Sequence, residues 1–222
     1  MLEEWALLHY EAEDFDRSDA LYQRLLEEVP NSPRAANARL ILAESAMMNG
    51  DLAGATESVV KIAEDAAAPP ETRQRAESLR ISLVREQGNW DEAARLAEEF
   101  LSEHTSSRER PLVSYIQGEA LLHTDQAEEA KAVLSLLEKL PADAPARKEI
   151  WFPRVKLLLA EIGFKQKDYQ SAMARLDEFD AIEPAPAYHY ASDELRGRIF
   201  KQQAKFDEAR ASFEMVLETK EA

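Results

Sequence analysis

The chain has no cysteine. Disulfides, thiolate metal ligands and a cysteine nucleophile are excluded together. The redox compartment stays open, because a cysteine-free protein tolerates either environment. No apolar run approaches the ~20 residues needed to span a bilayer, so no direct membrane insertion is expected. Met1-Leu2-Glu3-Glu4-Trp5 places acid where a secretory signal would carry base. Cytoplasm and periplasm are both compatible with these absences. Glycine is scarce, at six residues, and no long alternating run of β-branched residues occurs, which argues against sheet. Basic residues are outnumbered 27 to 43, for a net charge of −16. An acidic surface repels phosphate backbones and offers no basic patch to anionic lipid, so nucleic acid is not an expected partner. The acidity reads as a solvated surface.

Catalytic signatures are missing as well. The four histidines, His9, His104, His123 and His189, never stand four residues apart, so no two-histidine helical metal face exists. There is no P-loop and no dinucleotide fingerprint. Glu119 and His123 stand four apart, which suits a surface ion pair better than a metal site. No enzyme activity, cofactor or metal is expected.

What is present is a repeat. Small residues recur at Ser18, Ala55, Ala93, Ala130, Ala172 and Ala209, with gaps of 37 or 38 residues and one gap of 42. We use these as anchors. Three residues before them stand Phe15, Leu52, Trp90, Ala127, Tyr169 and Phe206. Four after come Tyr22, Val59, Ala97, Leu134, Leu176 and Phe213, and seven after another six apolar residues. These offsets share one face of an α-helix. Twelve before the anchors lie Ala6, Ala43, Ile81, Gly118, Ala160 and Gly197; five of the six are small, so two helices of a hairpin can approach closely. Gly50 and Gly88 fall between the two helical patterns, where a positive φ ends a helix.

This pattern resembles the tetratricopeptide repeat family, with Pro30 and Pro184 at the closing proline position. Two departures, the longer spacing and the large apolar residue seven past the anchor, are similar to a bacterial cell-envelope branch that includes outer-membrane assembly lipoproteins and Tol–Pal coordinators. The resemblance implies an all-α fold, a right-handed α-solenoid of about six helix-turn-helix hairpins. They are expected over residues 2–28, 34–65, 71–104, 108–140, 147–183 and 188–219 of one array, with Pro33 at the first helical position of the second hairpin. Because both termini fall inside the repeat pattern, the chain reads as part of a longer bacterial protein. The connection from Leu140 to Pro153 absorbs the longest gap. Its Trp151 and Phe152 either pack on hairpin four or form an aromatic contact patch.

The resemblance also implies a non-catalytic role in binding a protein or peptide along a concave groove lined by the first helix of each hairpin. Carried over, the groove residues are Leu40 and Met47, Arg75 and Arg85, Tyr115 and Leu122, Arg154 and Phe164, and Arg198 and Lys201. Leu157, Glu161 and Lys165 fall on the same face. The cations suit an acidic peptide or a C-terminal carboxylate, unless they pair with local glutamates. The lysines of a co-chaperone carboxylate clamp are missing. The alternative is a scaffold or spacer in cell-envelope assembly, acting through its convex face or ends. There Phe213, Val216 and Leu217 would offer apolar surface for weak self-association.

Overall fold

The computed structural model describes residues 1–30, 32, 34–182, 184 and 186–221, with the side chains of 186, 187 and 218–221 set aside. The expected helix start at Pro33 and the fifth hairpin's boundary at Glu183 lie outside the described residues. Among those described there are twelve α-helices, one 3-10 turn and no strand. The helices are α1 (Leu2–Glu11), α2 (Phe15–Glu28), α3 (Ala35–Met48), α4 (Leu52–Glu64), α5 (Pro70–Glu86) and α6 (Trp90–Glu103). They continue as α7 (Arg110–His123), α8 (Ala127–Glu138), α9 (Arg154–Lys165), α10 (Tyr169–Asp180), α11 (Pro186–Gln202) and α12 (Phe206–Glu221). Two compact units are distinguished, Met1–Ile116 and Gln117–Ala222, the division falling within α7.

One turn recurs in all six hairpins. The residue five before each anchor has positive φ: Glu13, Gly50, Gly88, Asp125, Lys167 and Ala204. The next amide closes a six-residue loop back to the first helix, as in Asp51 N to Ala46 O at 2.8 Å and Asp168 N to Gly163 O at 2.8 Å. This is the Schellman end, which satisfies carbonyls a helix would otherwise leave open. Asp51 and Asp168 then cap the second helix by accepting from Gly54 N and Ser171 N.

In the first unit each helix packs on the next, from α1 through α6. Ala6, Tyr22 and Leu25 form one core with Ala38 and Ile41 of α3. Leu40, Ala43, Val59 and Ile62 form another with Ala76 and Leu83 of α5. In the second unit α8 to α12 pack in the same serial way, and α11 also touches α9. Leu157, Ala160, Leu176 and Phe179 are buried with Leu195 and Ile199 of α11. A second helix thus fills the space between two first helices, so the same apolar face serves its own hairpin and the next.

The connection after α8 is tied down rather than loose. Arg147, in the 3-10 turn Pro145–Lys148, donates to the carbonyls of Glu138 and Leu140 at 2.6 and 2.8 Å. Its guanidinium lies 5.2 Å from the Phe152 ring centre. Phe152 is buried and Trp151 half-buried, and both precede α9 instead of lengthening it. Of the two readings for this pair, packing therefore describes Phe152, which presents no surface.

Candidate functional site

The predicted groove residues divide by burial. Leu40, Tyr115 and Leu122 are buried and present no surface to a ligand. The reason is geometric. Leu40 and Tyr115 stand three before the small residue of their helix, and Leu40 is taken up in the core with α4 and α5; Leu157 at the same offset is also mostly buried but still reaches a cleft. Even Ser78, at the same offset, is buried. Met47 and Phe164 are half-buried, each packed on the core of its own unit.

The cations divide by partner. Arg75 donates to Glu44 at 2.8 Å. Burial pushes the Glu44 carboxyl above its ordinary range, and Arg75 offsets part of that rise. Arg85 pairs with its neighbour Glu86. Arg154 donates to Glu119 at 2.8 Å. Glu119 is buried, and its pair with Arg154 spans α7 and α9. Lys165 donates to Leu122 O and Asp125, both at 3.1 Å, stapling the turn after α7 to α9. Arg198 and Lys201 differ: both are exposed, and neither has an ion pair among the described residues. Arg198 is held over the face of Phe164, 4.6 Å from the ring centre.

Two clefts border these residues. In the first unit a polar cleft of about 480 Å³ is lined by Asn37, Gln74, Arg75, Ser107, Arg108 and Glu109, at the starts of α5 and α7. In the second unit a cleft of about 410 Å³ runs between α9 and α11. Leu157, Leu158 and Leu195 form its floor, and Arg154, Glu161, Glu194 and Arg198 its rim. Tyr188 closes one side, with the Arg154 guanidinium 5.6 Å from its ring centre. Leu157, Glu161, Arg154 and Arg198 are brought together here. Tyr188 lies off the register that identified the others, so the repeat pattern gave no signal for it, whereas Glu194 stands three before Gly197, at the offset of Leu157, and was legible there.

The arrangement can hold an extended segment by apolar contact and charge pairing. Among the described residues no group of three or more His, Asp and Glu is placed to hold a metal ion. No described helix is long and apolar enough to cross a membrane.

A family model described as "Tetratricopeptide repeat" matches residues 4–71 and 80–145, and one described as "Tetratricopeptide repeat-like domain" matches residues 144–222. No curated protein matches the chain. Several solved structures share its fold. PilF of Pseudomonas aeruginosa superposes with a TM-score of 0.70 at 20% identity, over 95% of this chain and 86% of that one. BtubC of P. vanneervenii gives 0.70 at 17% identity, over 92% and 87%. A putative kinesin light chain of Podospora anserina, described as having nearly identical TPR-like repeats, gives 0.64 at 18%, over 86% and 97%.

Proposed function

Because the chain belongs to the tetratricopeptide repeat family, whose members typically bind proteins or peptides, we propose that it is a non-catalytic interaction module. In this reading, the cleft between α9 and α11 is its working surface. An apolar side chain of the partner segment lies on Leu157, Leu158 and Leu195. An acidic group of the same segment reaches Arg198, with Lys201 one turn further along the helix.

The observation that carries this reading is the state of Arg198. Arg75, Arg85 and Arg154 each have a carboxylate partner within the protein. Arg198 stands exposed at the cleft rim over the Phe164 ring, with no carboxylate partner among the described residues, in a chain of net charge −16. A cation oriented by an aromatic face and lacking a carboxylate is ready to take one from a partner. The test is selection from a displayed random-peptide library, followed by binding to wild type and Arg198→Glu. Enriched peptides combine a large apolar residue with Asp, Glu or a free C-terminus. They bind the variant at least about tenfold more weakly. Enrichment of basic peptides, or equal binding to both proteins, contradicts the reading.

A second reading, a scaffold or spacer in cell-envelope assembly, is favoured by a separate observation. Large apolar residues are exposed on the first and sixth hairpins, among them Trp5, Leu8, Phe206 and Leu217.

A further inference from the structure

The first helices carry a recurring ion pair. Glu44, Glu119 and Glu161 each follow the small residue of their helix by one. Arg75 and Arg154 each stand six before the corresponding residue of the next first helix, Ile81 or Ala160. Where both positions are filled, they meet. Arg75 donates to Glu44 and Arg154 to Glu119, each at 2.8 Å, so each pair ties one hairpin to the next. Elsewhere the acid and the base are missing together. The two positions are Leu7 and Asn37 between the first and second hairpins, and Ser82 and Leu112 between the third and fourth.

The fifth and sixth hairpins hold half of the pair. Glu161 stands in α9 where Glu44 and Glu119 stand in α3 and α7, but its counterpart in α11 is Ala191. The register of α11 is fixed by contact, because Gly197 faces Phe213 as Gly118 faces Leu134. Phe213 thus turns inward and Val216 is buried, so of the three apolar residues expected to offer surface in α12 only Leu217 is exposed. Glu161 is half-buried and has no hydrogen bond or ion pair among the described residues. Arg198 lies over the Phe164 ring instead. Ala191 is exposed and lines the cleft together with Glu161, so the space an arginine would fill opens into it. Glu194, on the same rim, is a second carboxylate without a partner among the described residues.

We propose that the partner segment supplies the cation this pair lacks. An arginine or lysine side chain of the segment enters over Ala191 and meets Glu161, as Arg75 and Arg154 meet Glu44 and Glu119. The inference rests on the cleft between α9 and α11 being the working surface, and it adds a base to the acid that Arg198 takes. Charge complementarity selects this occupant. A segment carrying acid alone would cover Glu161 and leave it unpaired, which costs desolvation that a cation offsets. The planar fork of a guanidinium suits the carboxylate best. The bound segment therefore has three parts: an apolar side chain on the leucine floor, an acidic group at Arg198 and a basic one at Glu161.

Selection from a displayed random-peptide library against the 222-residue chain tests this. The enriched peptides are then bound to wild type, Arg198→Glu, Glu161→Gln and Ala191→Arg, with circular dichroism confirming equal helicity. Enriched peptides carry Arg or Lys beside their acidic and apolar residues. Glu161→Gln weakens them at least about tenfold, and Ala191→Arg, which supplies the cation from within, does the same. Replacing the base of the peptide by norleucine removes the effect of Glu161→Gln, so the two changes are not additive. Additive losses overturn the inference. Peptides that are lost in Arg198→Glu but carry no base, or that bind wild type and Glu161→Gln equally, overturn it and leave the working surface standing. Peptides that bind wild type and Arg198→Glu alike, or no enrichment at all, overturn the working surface and this inference with it.

Discussion

The Leu134 side chain stands 2.5 Å from the point a Cβ on Gly118 would occupy. Gly118 lies twelve before its anchor and Leu134 four after, so the absent side chain in α7 makes room for the large one in α8. Gly197 and Phe213 repeat the relationship in the sixth hairpin. In the third hairpin the sizes are exchanged, Ile81 against Ala97, and both are buried. The one large residue in the column of small ones is thus answered by the smallest residue in the facing column. Gly118→Ala should therefore destabilise the second unit by about 1–3 kcal/mol through overpacking, although alanine is the better helix former by roughly 1 kcal/mol. Urea unfolding reads the sign directly. A stabilised variant would mean that Leu134 moves aside without penalty.

The recurrent turn gives opposite expectations at two positions. Gly88 has φ +72° and open space around a built Cβ, so Gly88→Ala tests backbone strain alone. It should lower stability by about 1 kcal/mol. Lys167 has φ +61°, and Lys167→Gly should raise stability by roughly 0.5–1 kcal/mol. Thermal melts of the two variants should move in opposite directions.

Arg154→Met removes the guanidinium that donates to buried Glu119. The loss should be about 2 kcal/mol, the order of a hydrogen bond to a charged group. Arg154→Met combined with Glu119→Met should recover part of it, because the carboxylate left behind in the single variant is gone. Chemical denaturation of the three variants measures the coupling.

Burial raises the Glu44 carboxyl above its ordinary 4.5, with Arg75 acting against the rise. A raised carboxyl favours the folded state when protonated. Its contribution is complete below the unfolded value and fades as pH rises through the folded one. Asp193 shifts in the same direction, mainly through burial. Glu178 shifts the other way, held down chiefly by its hydrogen bond to Lys156, so the contribution of this half-exposed group is lost as pH falls. Glu44→Gln should flatten the decline of stability above pH 4.5, as read from melting temperatures across a pH series.

The hairpins were legible because they rest on two facing columns of residues, one per helix, which fix phase as well as period. Even the turn was readable at Gly50 and Gly88. At Glu13, Asp125, Lys167 and Ala204 the repeat placed the turn, but no glycine marked its positive φ. The groove was less legible. A helical offset gives the direction of a side chain but not the reach of its neighbour, so Leu40, Tyr115 and Leu122 read as surface and are core. The arginines were visible as cations. Only the tertiary structure separates Arg75 and Arg154, which meet Glu44 and Glu119 more than thirty residues away, from Arg198, which meets a ring.

Hydrogen–deuterium exchange with a library-selected peptide bound tests the working surface most directly. Protection concentrated in α9 and α11, around Leu157, Leu195 and Arg198, is the predicted result, and it should disappear in Arg198→Glu. Protection confined to α10 and α12, with α9 and α11 unchanged, would contradict the account and place the partner on the opposite face of these hairpins.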